Sequence, residues 1–290
     1  MSTFVHKSFF SMIRAGRYHT LTVNRISDYG LYLADEQGDE VLLPNRYVSL
    51  QNRVGDEIRV FVYHDSENRL VATTEHPKAV VGDIAFLEVV DKNAHGAFLD
   101  WGLSAKHLFL PNRNQVGGVL ASHGCLVYVY EDSVTGRAVA TMKLKGAVCN
   151  DEISVKPHQK VNIIVASRSD IGYRVVINNR HWGMLYNNQL FRHVQTGDSM
   201  SAYVSRITDD GRIDVSLQQS GYDGVKDASE RLLGIVRSAG GALPLWDGSS
   251  PEDVARLTQM SKKQFKRSLG VLLKSGKVRA DENGIKIIER

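Results

Sequence analysis

Short runs of alternating apolar and polar residues recur along the chain in a fixed order. The first copy contains a strand with a central glycine, an apolar strand that ends in proline, and two further alternating strands, at residues 28–33, 41–44, 54–62 and 69–73. A second copy follows about 67 residues later, at 94–99, 108–111, 126–130 and 137–141. Alternation with a period of two is typical of a half-buried β-strand, so each copy indicates a small all-β domain.

A third copy is weaker but keeps the same order, at residues 171–175, 183–186, 197–200 and 210–217. Gly197 and Asp198 stand where Gly55 and Asp56 stand in the first copy. Each copy contains five short strands with turn-forming residues between them, which is the count of an OB-type barrel. The sequence therefore predicts three tandem OB-type barrels, at residues 1–76, 77–147 and 148–222.

Beyond residue 224 the spacing of apolar residues changes from the strand period to the helix period. A first helix is predicted to end at the glycine pair 240–241. A second helix is predicted to begin at 249–251, where two serines precede a proline and two acidic residues. The apolar face of this second helix is predicted to contain Val254, Leu257 and Met260.

A third helix is predicted to begin at Ser261, and two strands joined by the turn 281–284 follow it. Its predicted apolar side carries Phe265, Leu269, Leu272 and Leu273. Its other side carries Lys262, Lys263, Lys266, Arg267 and Lys274. Three helices followed by a hairpin predict an α+β winged helix-turn-helix domain at residues 223–290.

The composition is that of an ordinary multidomain globular protein. Of the 290 residues, 42% are hydrophobic and 23% are charged. Because the chain contains no apolar run of about 18 residues and its first residues lack the apolar block of a signal peptide, we expect a cytoplasmic protein without a membrane partner. Cys125 and Cys149 form no CxxC pair and are expected to be small packing residues. No cofactor is indicated.

The basic charge of the chain is concentrated in the winged helix. Residues 225–290 contain 13 basic and 8 acidic side chains, a net charge of +5, compared with +4 for the whole chain. A basic third helix can place cations against phosphate oxygens, which predicts a nucleic-acid contact through Lys262, Lys263, Lys266 and Arg267. Lysine outnumbers arginine there, which favours backbone contact over recognition of bases. A merely solvated helix face is the alternative.

Aromatic side chains in the barrels are candidates for stacking bases. OB-type barrels bind single strands in this way, while nearby cations follow the phosphate backbone. Tyr29 and Tyr32 flank the glycine of the first copy and are expected to reach one outer face, and His95 and Phe98 occupy the equivalent places in the second. The third copy has Ile171 and Arg174 there, with Tyr173 shifted by one and Tyr186 as a substitute. Candidate cations are Arg25, Arg46, Arg53, Lys92, Lys106 and Arg113. Structural packing of the aromatics is the alternative.

The glycine-aromatic strand, the Gly-Asp pair and the final alternating strands together resemble the S1-type RNA-binding repeat. The segments LPLWDGSSPED at 243–253 and MSKKQFKRSLG at 260–270 resemble the bacterial conserved virulence factor B family. This resemblance covers nearly the whole chain. It implies three S1-type barrels with a carboxyl-terminal winged helix, RNA binding, and a regulatory role in gene expression without catalysis.

Other classes of function make different demands on the sequence. An enzyme would need a concentrated acid–base or metal constellation, whereas the acidic residues and the ten histidines here are dispersed. A DNA-binding regulator with the barrels as its body is the main alternative, and a protein-interaction scaffold is another; at the start of the third helix, only Gln264 is suited to contact base edges. The residues favour a non-catalytic protein that binds single-stranded RNA, with duplex nucleic acid as a further partner of the winged helix.

Overall fold

The structure is a computed structural model and describes residues 13–190, 193–218 and 222–288. Three closed five-stranded barrels and a winged-helix domain follow one another along the chain, as predicted. By its internal contacts the chain divides into two units, Met1–Ala147 and Val148–Arg290. The first unit contains the first two barrels, and the second contains the third barrel and the winged helix.

The barrels share one strand order. The first contains β1 (Arg17–Ser27), β2 (Gly30–Ala34), β3 (Glu40–Pro44), β4 (Glu57–His64) and β5 (Leu70–Thr73). The second contains β6 (Ile84–Asn93), β7 (Gly96–Leu103), β8 (Lys106–Pro111), β9 (Gly124–Glu131) and β10 (Ala138–Thr141). The third contains β11 (Lys160–Ser169), β12 (Gly172–Ile177), β13 (His181–Tyr186), β14 (Ser199–Ile207) and β15 (Ile213–Ser216).

In each barrel the first strand pairs with the second and fourth, and a parallel pair of the third and fifth strands completes the closure. The repeated glycine of the second strand is required by the close approach of the second and third strands. A Cβ atom at Gly30, Gly96 or Gly172 would lie 2.0, 2.4 or 2.3 Å from a carbonyl oxygen of the third strand. Two backbones can approach so closely only where one of them carries no side chain.

A repeated asparagine fixes the turn before this glycine. A short 3₁₀ helix follows the third strand of each barrel, at Asn45–Tyr47, Asn112–Asn114 and Asn187–Gln189. The first asparagine side chain donates a hydrogen bond of 2.6, 2.8 or 2.9 Å to a carbonyl in the turn between the first two strands. Its backbone N–H donates to the next carbonyl of that turn. The turn residues 29, 95 and 171 are therefore held in equivalent positions.

The winged helix contains α1 (Tyr222–Ser238), β16 (Ala242–Leu243), α2 (Pro251–Thr258), α3 (Lys262–Lys274), β17 (Val278–Asp281) and β18 (Gly284–Ile287). Ser250 caps α2 by accepting a hydrogen bond from the N–H of Asp253, and Ser261 caps α3 by accepting one from the N–H of Gln264. Both predicted helix starts are therefore confirmed.

Three details of the winged helix differ from the prediction. Met260 does not belong to the second helix, because Gln259 adopts a left-handed conformation that ends α2, and Met260 is buried in the turn that follows. Leu273 does not lie on the buried side of α3 and is 43% exposed. The two-residue strand β16 pairs with β18 and forms a third strand of the sheet. It is too short to produce an alternating pattern.

The apolar core of the second barrel extends into its contact with the first barrel, which also has a core of its own. Phe61 of β4 packs edge-on against Trp101 of β7 with ring centroids 5.4 Å apart, and Tyr18 of β1 also packs edge-on against Phe61, with ring centroids 5.5 Å apart. The indole N–H of Trp101 donates to the carbonyl of Ala79 in the connecting segment at 2.8 Å. Val81 in the same segment donates its N–H to the carbonyl of Gly16. The connection is therefore packed and hydrogen-bonded, and these contacts fix the two barrels against each other.

The close approach of β7 and β8 predicts a specific effect of one methyl group. Gly96→Ala places a Cβ 2.4 Å from the Leu110 carbonyl oxygen and 2.8 Å from the Phe109 ring. We expect a loss of about 1 to 3 kcal/mol in the free energy of unfolding of the full chain, measured by urea denaturation. Gly118→Ala is the matched control, because its Cβ would meet nothing within 4 Å. Equal stability of the two variants would contradict this account of the repeated glycine.

Candidate nucleic-acid interface

A groove of about 280 Å³ lies on the outer face of the second barrel, where the first barrel meets it. Its floor is apolar and includes Phe98 of β7, Phe109 of β8 and Val139 of β10. The rings of Phe98 and Phe109 lie 5.4 Å apart, tilted by 43°, and both are half-buried. In the part of the chain that the structure describes, no guanidinium lies over either ring. The aromatic pair is therefore an open surface on which a planar group can stack.

Two cations border this floor. Lys106 begins β8, and Arg137 precedes β10. The Lys106 Nζ donates to the carbonyl of Asp65 at 3.3 Å, and the Arg137 Nε donates to the side-chain oxygen of Asn68 at 2.6 Å. Burial lowers the pKa of Lys106, and the nearby Arg137 lowers it further. An anionic group in the groove would relieve this repulsion, and phosphate carries the charge that both cations attract.

Three histidines complete the rim of the groove. His95 lies in the turn before β7 and His107 on β8, and both are exposed. His64 is different, because it is the last residue of β4 and therefore comes from the first barrel. Burial lowers the pKa of His64, and the positive charges of Arg137 and Lys106 lower it further, against an opposite effect of Asp65 and Glu131. None of the described residues that line the groove is a carboxylate.

The predicted stacking residue Tyr32 of the first barrel is already stacked within the protein. The Arg25 guanidinium carbon lies 3.4 Å from the Tyr32 ring centroid. Glu40 holds Arg25 through an ion pair of 2.7 Å and also accepts a hydrogen bond from Asn24. The hydrogen bonds from Arg25 and Asn24 keep the pKa of Glu40 below its usual range. A base that approaches Tyr32 from this side would meet the guanidinium plane first.

The other predicted residues of the first barrel lie at its turns. Tyr29 does not share the face of Tyr32 along β2, because it stands in the turn before Gly30, with 76% of its surface exposed. Arg46 lies in the 3₁₀ helix after β3, with its guanidinium carbon 4.6 Å from the Tyr47 ring centroid. Arg53 is exposed in the loop before β4. The structure therefore does not bring these side chains together into one groove.

In the second barrel, the predicted residues fall into two groups. His95 and Phe98 line the groove, together with the candidate cation Lys106. Lys92 and Arg113 do not line it. The Lys92 Nζ donates to the Val119 carbonyl at 2.6 Å, and Arg113 forms a 3.5 Å ion pair with Asp132.

The third barrel carries an aromatic platform that the sequence analysis missed. Arg174 of β12 occupies the position of Tyr32 and Phe98, and its guanidinium carbon lies 3.7 Å from the centroid of the Trp182 ring on β13. Tyr173 is a buried residue whose hydroxyl donates to the Val194 carbonyl, so it offers no stacking surface. Tyr186 is half-buried beside Asp214, and burial together with this carboxylate raises its pKa.

The basic side of α3 divides into free and engaged cations. In an α-helix, residues 263, 267, 270 and 274 lie on one stripe, opposite the buried Phe265, Leu269 and Leu272. Lys263, Arg267 and Lys274 are exposed on that stripe. Lys266 lies beside this stripe, and Lys262 is half-buried further round the helix. The segment before α2 engages both: Lys262 donates to the Ser249 carbonyl, and Lys266 pairs with Asp247 at 3.0 Å.

Eight of the eleven described residues that line the groove were absent from the sequence-based prediction, among them Phe109, Arg137, Trp101 and His64. Phe109 could have been identified from the sequence, because it stands at the outward position between the buried Leu108 and Leu110. Arg137 aligns with Arg69 of the first copy, and its place in the groove is not visible from that alignment. Trp101 and His64 belong to the groove only because the two barrels pack together.

Within 13–190, 193–218 and 222–288, no three His, Cys, Asp or Glu side chains are grouped so as to hold a metal ion. None of the helices in the same segments is sufficiently long and apolar to cross a membrane.

The chain is similar to several known proteins. A family model described as S1 domain matches residues 15–75, and one described as CvfB-like winged helix domain matches residues 230–287. YitL of Bacillus subtilis (strain 168) is 28% identical over 281 residues, which cover 94% of this chain and 93% of that protein. Conserved virulence factor B of Staphylococcus aureus (strain MRSA252) is 25% identical over 267 residues, which cover 81% of this chain and 83% of that protein.

A solved structure also matches nearly the full length. It is the crystal structure of a multidomain protein with nucleic acid binding domains from Streptococcus pneumoniae TIGR4, with 21% sequence identity and a TM-score of 0.41. The match covers 94% of this chain and 98% of that chain.

The lowered pKa of His64 predicts a pH effect on stability. As the pH falls below 6.5, the usual value for histidine, the unfolded chain takes up a proton at residue 64 before the folded chain does, so the free energy of unfolding decreases. We expect His64→Gln to lose less stability than the unmodified chain between about pH 7 and about pH 5, measured by urea denaturation. His95→Gln, at an exposed position of the same groove, is the control. An identical decline in His64→Gln and the unmodified chain would contradict the assignment.

Proposed function

We propose that the chain is a member of the conserved virulence factor B family and a non-catalytic RNA-binding protein that regulates gene expression after transcription. Its matched domains, S1 and winged helix, are nucleic-acid-binding domains, so nucleic acid is its partner. The observation that carries the proposal of a single-stranded RNA ligand is the open Phe98 and Phe109 pair, with Lys106 and Arg137 beside it.

The groove suits an unpaired base. Its volume of about 280 Å³ is near the lower end of the roughly 300 to 1,000 Å³ found for small-ligand pockets. A base can stack on Phe98 and Phe109 only if its own face is free, as it is in single strands and not inside a duplex. Lys106 and Arg137 then lie where they can attract the adjoining phosphates. The resemblance of the barrels to S1-type repeats favours RNA over single-stranded DNA.

The first and third barrels have secondary roles in this proposal. Tyr32 and Trp182 are each stacked with a guanidinium, so a base added there would lie on Arg25 or Arg174 instead of on the aromatic ring. Tyr29, Arg46, Lys92, His95 and Arg113 are further contacts that we propose for RNA passing along the barrel faces. Their exposed or turn positions suit adaptable contacts better than a fixed stack.

The winged helix is proposed to contribute a sequence-tolerant grip on phosphate through Lys262, Lys263, Lys266 and Arg267. The exposed stripe of α3 carries Lys263, Arg267 and Lys274 and has glycine at position 270, where a Cβ would meet nothing within 4 Å. A phosphate backbone can therefore lie close to the helix. The same stripe could contact duplex DNA, so duplex DNA belongs in each binding experiment as a competing ligand.

The stacking proposal predicts the effect of removing the aromatic pair. In the full chain, Phe98→Ala combined with Phe109→Ala should weaken binding to a labelled single-stranded RNA by about 1 to 3 kcal/mol per lost stack. Fluorescence anisotropy at fixed salt measures this change. Phe86→Ala is the matched control, because Phe86 is a half-buried aromatic of the same barrel that does not line the groove.

The outcome separates the two candidate functions. Weaker RNA binding in the groove variant, with unchanged affinity in Phe86→Ala, supports a single-strand site on the second barrel. Unchanged RNA affinity in the groove variant would remove the stacking proposal. Tighter binding to duplex DNA than to RNA, with no effect of the groove variant, would instead favour a DNA-binding regulator that uses the winged helix.

The division of cations on α3 predicts different salt effects for two double variants. Lys263→Gln with Arg267→Gln removes exposed charges and should reduce the slope of log affinity against log salt by about 1.4 for a single strand. Lys262→Gln with Lys266→Gln removes the same formal charge from residues that the protein already engages, so its slope should change less. RNA titrations at several salt concentrations measure the slope for each variant. Equal slopes in both variants would contradict the distinction between exposed and engaged cations on α3.

A further inference from the structure

His64 lines the groove but has no role in the stacking proposal. His64 comes from the first barrel, whereas every other described residue that lines the groove comes from the second. The hairpin that follows His64 is joined to the second barrel by the bonds from Lys106 to Asp65 and from Arg137 to Asn68. The position of His64 beside Phe98 and Phe109 is therefore fixed by contacts between the barrels.

The surroundings of His64 determine which ring nitrogen carries the proton. Its Nδ1 is buried and has no hydrogen-bond partner. A bare acceptor nitrogen is less costly to bury without a partner than an N–H group, and a charged ring would be costlier still beside Lys106 and Arg137. The imidazole is thus neutral with its proton on Nε2, in agreement with its lowered pKa. A neutral donor then remains for a ligand in the groove.

We propose that the Nε2–H of His64 donates a hydrogen bond to an acceptor atom on the edge of the base that stacks on Phe98 and Phe109. The first barrel would thus select among bases that the second barrel holds. This inference rests on the proposed function and adds base preference to it. Stacking by itself tolerates every base, because every base has a π-face. One directed hydrogen bond distinguishes bases by about threefold to tenfold in affinity.

The test compares base preference, not affinity alone. The full chain and its variants are titrated by fluorescence anisotropy with labelled oligo(U), oligo(A) and oligo(C) of equal length at one salt concentration. His64→Phe keeps a ring and removes the donor, whereas His64→Gln places an amide donor near the position of Nε2. His123→Phe is the control, since His123 is an exposed histidine of the second barrel that does not line the groove.

We expect the ratio of the strongest to the weakest affinity among the three oligonucleotides to fall about threefold to tenfold in His64→Phe. The ratio should be retained in His64→Gln and His123→Phe. In His64→Asn the shorter amide does not reach the Nε2 position, so the affinity ratio should fall in this variant as well. His64→Asn replaces His64→Phe if His64→Phe does not fold. An unchanged ratio in the variants without the donor, or no base preference in the unmodified chain, would overturn the inference.

Failure of the inference is distinguishable from failure of the proposed function. If Phe98→Ala with Phe109→Ala weakens RNA binding but removal of the His64 donor leaves the base ratio unchanged, the groove binds RNA and His64 does not select the base. If the aromatic double variant binds RNA normally, the stack itself is absent, and the inference fails with it.

Discussion

The contact between Phe61 and Trp101 is the interaction on which the proposed site depends. Each ring is buried, and each belongs to a different barrel. Together with Tyr18 and the connecting segment, the contact extends the apolar core of the second barrel onto the first barrel. The groove exists because of this junction, since Trp101 lines its floor and the end of β4 forms one side. Burial of large aromatic surface therefore stabilises the fold and creates the site.

The three barrels show how one backbone supports different surfaces. In the first and third, an arginine covers the outward aromatic residue, with guanidinium carbons 3.4 and 3.7 Å from the ring centroids. In the second, the equivalent face presents Phe98 and Phe109 uncovered and places Lys106 and Arg137 beside them. The fold is common to all three, and the chemistry that we propose for binding depends on these few outward side chains.

The sequence was informative wherever the determinant is local. Period-two alternation and the repeated glycine predicted the strands, because they depend on which face of each strand is buried and on the close approach of neighbouring backbones. Ser250 and Ser261 predicted the helix starts, because a helix cap is a contact between residues only three positions apart in the sequence. The groove was only half predictable: His95 and Phe98 were found from the repeat, but His64 enters it through packing between barrels. The ion pair of Arg25 with Glu40, which holds the guanidinium over Tyr32, likewise joins residues distant in sequence.

The proposed stacking site on the second barrel is tested most directly by locating the RNA on the protein. Single-stranded RNA containing photoreactive 4-thiouridine is crosslinked to the full chain, and mass spectrometry identifies the modified residues. We expect crosslinks in the groove of the second barrel, at or next to Phe98 and Phe109, with further crosslinks on α3. Crosslinks confined to α3, or to the outer faces of the first and third barrels, would contradict the proposed stacking site.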